Sequence, residues 1–316
     1  MDKANQSSVT EFIVLGFPNV TGYKALVLFI TLVIVYILTL MINTMVIVVV
    51  TIKSQLHSPM YFFLQQLSIV EYIFLLVIVP NMLRVIWLEG ATMSIAGCIT
   101  QAYVYASIGC TEFHLLTVMA YDRYLAICNP LRYTTIMNTK LQRVLVVYCW
   151  VFGFFVSQIT LNLLLQPEYC GSNVIDHFFC DLVPFIKLAC SFKVGLQLGI
   201  LILSVPIIVI PFILIIISYI CVFVTILGIS STTGRKKAFS TCSSHITVVS
   251  VVFVTAISIY SVPVNENTLT INKLISMLYV VVSPLFNPFI YCLRNQEMRD
   301  VLEKIFRIKN IKNDEK

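Results

Sequence analysis

Residues 25–52, ALVLFITLVIVYILTLMINTMVIVVVTI, carry no charged side chain. A helix crosses the hydrocarbon core of a bilayer with about 20 apolar residues, so this stretch is long enough to span. The rest of the chain repeats the pattern. Charge-poor stretches recur at about 60–83, 98–121, 144–165, 196–227, 238–262 and 274–293, giving seven candidate spans, with Glu71 inside the second and Glu112 inside the third. The 316 residues are 59% hydrophobic and 11% charged, whereas a soluble domain is roughly 25% charged. A water-soluble core cannot absorb so many apolar side chains. The sequence therefore predicts an all-α membrane protein, a seven-transmembrane helix bundle with a short amphipathic C-terminal helix.

Basic residues set the orientation, because cytoplasmic loops carry the excess of lysine and arginine. With the N-terminus outside, 15 of the 21 lysines and arginines fall on inner segments, among them Lys53, Arg123, Arg132, Lys140, Arg143 and Arg235 to Lys237. Lys3, Lys24, Arg84, Lys187, Lys193 and Lys273 fall outside. The expected arrangement is a multi-pass plasma-membrane protein with an extracellular tail over 1–23, a bundle over 24–294 and a cytoplasmic tail over 295–316. The net charge of +6 is then a topology signal, and no clustered soluble basic face points to nucleic acid. The first 23 residues lack the apolar core of a signal peptide, so the first span is expected to insert uncleaved. Asn5-Gln6-Ser7 and Asn19-Val20-Thr21 are glycosylation sequons on the outer tail. Met298, Val301, Leu302, Ile305 and Phe306 recur at helical spacing among Arg299, Lys304 and Arg307. That pattern suits a helix lying on the inner membrane surface.

Several residues stand out chemically. Glu71 and Glu112 lie inside apolar spans, where a charged side chain costs at least ~2.5 kcal/mol. Either they are protonated and hydrogen-bonded to neighbouring helices, or they hold a cation. Asn43 and Asn287 lie at comparable depth in the first and seventh spans. Cys98, Cys170, Cys180 and Cys190 fall on the outer face, where oxidation can occur; four cysteines allow three pairings, and spacing alone does not choose. Pro80, Pro206, Pro211, Pro284 and Pro288 sit within spans and permit bends.

Residues 119–133, MAYDRYLAICNPLRY, mark the inner border of the third span. Together with PMYFFL at 59–64, KAFSTCSSH at 237–245 and SPLFNPFIY at 283–291, they resemble the olfactory branch of the rhodopsin-like G-protein-coupled receptors. The four stretches cover the chain from about 59 to 295, in order and on the expected side. The resemblance implies that Asp122, Arg123 and Tyr124 sit at the cytoplasmic end of the third helix. Arg123 would be restrained when inactive and released toward a G protein when active. Tyr219 and Tyr291 match the tyrosines that reorganise around it, and Asn287 and His245 are grouped with them at the coupling end, His245 as a hydrogen-bonded histidine or a pH-sensitive contact. The resemblance also implies disulfides Cys98–Cys180 and Cys170–Cys190. It converges Asn43, Glu71, Glu112 and Asn287 on a site holding either a sodium ion or a protonated, water-linked network. No other cofactor and no metal site is expected, since Cys180 of His177-Phe178-Phe179-Cys180-Asp181 is committed to a disulfide.

Counting from the same motifs places a ligand pocket in the outer halves of the helices. It would be lined by Tyr105, Ala106, Gly109 and Cys110; Leu203, Ser204 and Ile207; Phe253, Ala256 and Tyr260; and Met277 and Val280. None is charged, so a cationic amine would be desolvated without a counter-ion. The expected ligand is a small, mostly apolar, neutral volatile odorant oriented by one or two hydrogen bonds. The expected partner is a heterotrimeric G protein of the stimulatory, olfactory type, raising cAMP. Where the family carries Phe-Tyr-Gly, this chain has Val252-Phe253-Val254, so a tyrosine hydroxyl is missing there. A transporter would need discontinuous spans and internal symmetry, and an enzyme a nucleophile–base or metal constellation; the sequence offers neither. The competing reading is a rhodopsin-like receptor for a non-odorant small molecule, which scaffold motifs do not separate.

Overall fold

A computed structural model describes residues 11–168, 173–261, 266–294, 298–301 and 303–304. Its long helices follow the apolar stretches. They are α1 (Gly22–Ile52), α2 (Pro59–Trp87), α3 (Ile95–Cys128), and, after the short α4 (Pro130–Ile136), α5 (Thr139–Leu164). A short α6 (Leu182–Leu188) precedes α7 (Lys193–Ser204). That helix runs through a π-helical segment, Val205–Val209, into α8 (Ile210–Leu227). Then come α9 (Thr232–Ser261), α10 (Glu266–Met277), a second π segment (Leu278–Val282) and α11 (Ser283–Arg294). The chain chemistry explains several boundaries. Pro59 opens α2 and Pro130 opens α4, where a missing N–H costs nothing. Ser94 caps α3 by accepting from Gly97 N at 3.2 Å, and Asn138 caps α5 by accepting from Leu141 N at 3.0 Å.

Among the described residues, six spans are long and apolar enough to cross a membrane. The exception is α3, which is 34 residues long. Every residue from Ser107 to Leu116 on it is buried, Thr111, Glu112 and His114 included. Over that stretch it has no lipid face to keep apolar, so it can hold polar groups that its neighbours satisfy. The outer helices show the converse. Ile30, Ile34, Ile37 and Met41 of α1 are exposed, as are Ile213, Ile217, Ile220 and Val224 of α8, while Asn43, Glu71, Asp122 and Asn287 are buried. Apolar side chains outside and polar ones inside is the arrangement a bilayer imposes.

The bundle closes tightly around α3. A Cβ at Gly153 of α5 would fall 2.4 Å from Thr111 Oγ1 and 2.7 Å from Ser107 O. Glycine is thus what lets these backbones approach. Met298 and Val301 are buried in the main core, so that part of the tail helix packs on the bundle rather than facing lipid. The remainder of the expected amphipathic stretch, Leu302, Ile305 and Phe306, lies outside the described residues.

The tail holds a strand that the sequence reading lacked. β1 (Glu11–Val14) pairs antiparallel with β2 (Ala91–Ser94), Glu11 opposite Ser94, and parallel with β3 (Val174–Ile175), Ile13 opposite Val174. Phe12 and Val14 face inward while Glu11 and Ile13 are exposed, the alternation of a half-buried strand. The tail, the loop before α3 and the long loop before α7 therefore form one cap.

Candidate functional site

The cap is fastened at several points. Cys98 and Cys180 form a disulfide, and Cys180 N donates to Gln101 Oε1 on α3 at 3.1 Å. Cys190 is also disulfide-bonded; Cys170, its expected partner, lies outside the described residues, as does Asn5. Asn19 is exposed just before α1. Lys273 of α10, 3% exposed, donates to Gly16 O at 2.7 Å and pairs with Asp176. One buried ammonium thereby ties the tail and the long loop to the last span. His177 and Asp181 are buried in the same loop. Burial, reinforced by Lys273, pushes His177 down to about 3. Burial pushes Asp181 up to about 6, against the hydrogen bond it accepts from Leu182 N at 2.6 Å.

Beneath the cap lies a cavity of about 270 Å³, near the lower end of the range for small-molecule sites. Eight of the twelve expected residues line it: Tyr105, Ala106, Gly109, Cys110, Leu203, Ser204, Ile207 and Ala256. The side chain of Tyr260 lies outside the described residues. Phe253 sits a layer below, fully buried, its ring 5.0 Å from that of Phe113, which does line the cavity. Met277 and Val280 do not line it; Tyr279 does. The physical reason is the π segment at Leu278–Val282. Its turn holds more residues than an α turn, so counting back from Asn287 at the α period picks the wrong face. The sequence reading also missed Ser157 and Thr160 of α5, Gln197 of α7, and Leu182 and Ile186 of α6. Their signal was weak: short polar residues within a long apolar span, and a loop helix with no motif to count from.

Among the described residues, no charged side chain lines the cavity. Its polar groups are hydroxyls, a thiol and the Gln197 amide. Tyr279 has a second role, since its hydroxyl donates to Glu112 Oε2 at 3.0 Å. The cavity is thus one hydrogen bond away from a buried carboxylate.

Deeper in the bundle, Asn287 Nδ2 donates to Glu71 Oε1 at 2.5 Å. Asn43 Nδ2 donates to Thr39 O at 3.1 Å and Pro284 O at 3.2 Å, joining α1 to α11. Asn43, Glu71 and Asn287 therefore belong to one polar layer, while Glu112 is engaged by Tyr279 above it. Asn43 Oδ1, Ser68 Oγ, Glu71 Oε2, Ser283 Oγ and Asn287 Oδ1 are buried without a partner among the described residues. An unmet set composed of oxygen atoms fits a hard monovalent cation or ordered water.

At the other end, Asp122 and Arg123 form an ion pair, and Tyr133 of α4 donates to Asp122 Oδ1 at 2.8 Å. Burial, with the Asp122 charge, raises the Tyr133 hydroxyl above its ordinary range, so it remains a donor. Tyr219 of α8 and His245 of α9 are hydrogen-bonded at 2.5 Å. Tyr124 packs beside Tyr219 against Val222, Ile226 and Cys242. The Tyr291 side chain lies outside the described residues. Arg123 is held by its neighbour, and a separate bond closes α8 onto α9.

A membrane bundle with a capped neutral cavity at one end and a restrained arginine at the other is built as a receptor, with no catalytic constellation in either place. Comparison with known proteins names the family. The olfactory receptor family model matches residues 32–309. The chain is 42% identical to olfactory receptor 10A3 of Homo sapiens over 98% of this chain and 99% of that protein. It is 40% identical to olfactory receptor 6P1 of Homo sapiens over 94% of this chain and 93% of that protein. Olfactory receptor 6B9 of Mus musculus is 41% identical over 95% of each. The chain belongs to the olfactory receptor family, and is a multi-pass, non-enzymatic G-protein-coupled receptor.

Proposed function

We propose that the protein binds a small, mostly apolar, neutral odorant in the capped cavity and activates a stimulatory, olfactory-type G protein, raising cAMP. The carrying observation is the lining: about 270 Å³ whose described residues include no charged side chain and offer only a few hydroxyl, thiol and amide groups. An ionised ligand would lose its hydration there with no counter-charge in return, whereas an apolar ligand gains from burial and needs few polar contacts. The N-terminus is extracellular and the C-terminus cytoplasmic in this reading, supported by the distribution of basic residues. The buried oxygens around Glu71 and Asn287 are proposed to hold a sodium ion in the inactive state, because their donor set is all oxygen. Asn43, Glu71 and Asn287 would contribute to holding it, and the ion would supply positive charge beside the buried carboxylate.

The test is expression with a cAMP reporter against a panel of volatile compounds, with Arg123→Ala as the inactive control. An oxygen-bearing volatile should activate the receptor, and Tyr279→Phe should lower the response it elicits. Activation only by charged or non-volatile compounds would overturn the ligand class. A response unchanged in Arg123→Ala would overturn the coupling face. Sodium is tested by titrating Na⁺ against agonist potency, and no shift would count against it.

A further inference from the structure

Outside the cavity, an unexplained feature lies on the lipid-facing side between α8 and α9. An apolar groove of about 380 Å³ runs there, walled by Ile216, Ile220, Phe223, Phe239, Cys242 and Ile246. Its rim is open: Ile220, Phe223, Phe239 and Ile246 are each exposed. At Phe239 it meets a second hollow, of about 420 Å³, formed by Thr232, Arg235, Lys236 and Phe239. Phe239 belongs to both, so the two adjoin at its side chain. The structure therefore joins a hydrocarbon-lined trough to a cationic mouth.

Among the described residues, no salt bridge answers the cations of the mouth. The chain holds no aspartate or glutamate between Asp181 and Glu266. Arg235 Nη2 donates to Ile229 O at 2.9 Å, which steadies the guanidinium at the mouth while spending one of its five donors. A neutral lipid would fill the trough and leave two cations unanswered. A soluble anion would answer the cations and leave the trough empty.

We infer that this is a binding site for an anionic phospholipid. One acyl chain lies in the groove against Ile220, Phe223 and Ile246, and the headgroup phosphate meets Arg235 and Lys236. Guanidinium and ammonium groups are matched to phosphate oxygens by charge-assisted hydrogen bonds. The site rests on the orientation proposed above, because anionic lipids are concentrated in the cytoplasmic leaflet. It also lies on the two helices joined by the Tyr219–His245 bond, so an occupant would contact both halves of that pair.

The experiment is native mass spectrometry of the purified full chain in detergent, titrated with phosphatidylserine or phosphatidylcholine of matched acyl chains. The wild type should retain phosphatidylserine at least about ten-fold better than phosphatidylcholine. Arg235→Gln with Lys236→Gln should lower phosphatidylserine retention roughly ten- to thirty-fold, the worth of two basic residues near an anionic surface. Ile220→Trp, which fills the groove without touching a charge, should lower retention of both lipids. Equal retention of the two lipids by the wild type would overturn the inference. So would an equal loss in the control pair Lys140→Gln with Arg143→Gln, which points to unspecific attraction. Detergent presents lipid to both ends of the protein, so an error in orientation leaves this result unchanged and shows instead in terminal-tag accessibility on intact cells.

Discussion

The ion pair that fastens the cap makes a prediction whose sign comes from burial. Lys273 and Asp176 are unequal partners: their side chains are 4% and 36% exposed. Asp176→Asn keeps a hydrogen-bond acceptor but leaves a desolvated ammonium without its counter-charge, a loss of about 3–5 kcal/mol for a buried group. Lys273→Met is milder. The carboxylate left behind recovers water through its exposed face, and the main loss is the buried Gly16 carbonyl, which no longer receives Nζ; an unsatisfied buried acceptor costs about 1–3 kcal/mol. The double variant removes the charge together with its need for a partner. It should cost about as much as Lys273→Met alone, so the second substitution restores on the order of 2 kcal/mol to Asp176→Asn.

Thermal and chemical unfolding of the purified variants in matched nanodiscs reads this order. Amide exchange in β1 and β3 should report the same ranking locally, because those strands are what Lys273 ties to α10. If the double variant is no more stable than Asp176→Asn, the ammonium is not desolvated and the cap is not latched through it. If Lys273→Met is the more damaging single change, the carbonyl contact outweighs the charge and the argument from burial fails.

Gly153→Ala should destabilise the bundle by about 1–3 kcal/mol or more. The new Cβ meets Ser107 O at 2.7 Å, and backbone cannot swing aside; a normal melting temperature and surface level would refute the close α3–α5 approach. Tyr219→Phe removes the bond to His245 that joins α8 and α9. A net bond of about 1 kcal/mol should raise basal cAMP roughly five-fold if it favours the inactive packing, and an unchanged baseline would place the restraint elsewhere. The cap should also respond to acid through two opposing groups. His177 is held at about 3, against an ordinary 6.5. The unfolded chain therefore takes up that proton first, and the folded state loses about 2 kcal/mol between pH 7 and pH 5. Asp181 is raised to about 6 from 3.8, so the folded state gains that proton first and recovers about 1 kcal/mol over the same interval. His177→Phe should make the cap more stable at pH 5 than at pH 7, and Asp181→Asn should make its acid loss larger. Amide exchange across residues 173–182 at the two pH values separates the variants, and parallel behaviour would refute the assignment.

Much of the fold was legible because a bilayer enforces simple rules. Charge-free length marked the spans, and the one polar span proved to be the helix with no lipid face from Ser107 to Leu116. What escaped depended on local geometry. The four residues Glu11-Phe12-Ile13-Val14 are too short to announce a strand, and become one only because β2 and β3 are brought beside them. In the cavity, α3 counted correctly because it is regular, so Tyr105, Ala106, Gly109 and Cys110 fell where expected. On the last span the count slipped at Leu278–Val282, where a π turn changes which residue faces inward. Valines dominate that segment and nothing in them signals a bulge; the proline at 284 was the available hint. Ser157, Thr160 and Gln197 were missed for another reason. They reach the cavity through helix packing, which no motif in the chain encodes.

In the proposed function, Tyr279 is the residue through which a neutral ligand would act at a distance. It lines the cavity and donates to Glu112, so a ligand that competes for its hydroxyl changes the partner of a buried carboxyl on α3. Asp122 and Arg123 lie on the same helix, nearly three turns further along. Yet one hydrogen bond is too weak to run the receptor. Its net worth is about 1 kcal/mol, or about 1.5–3 kcal/mol if the acceptor is charged, whereas moving a two-state equilibrium from 1:99 to 99:1 takes about 5.5 kcal/mol of differential binding. The remainder has to come from apolar contact at roughly 25 cal/mol per Å² buried, and only the part of that contact that differs between the two packings counts. The residues placed to make that difference are Phe113 and Phe253. Phe113 faces the cavity, and Phe253 stands behind it on α9, its ring also 5.5 Å from that of Phe212 on α8, tilted against it. With no tyrosine hydroxyl at 253, this junction would transmit by shape alone. Potency in this receptor should therefore follow how well a ligand fills the space above Phe113, and efficacy should follow whether it also engages Tyr279.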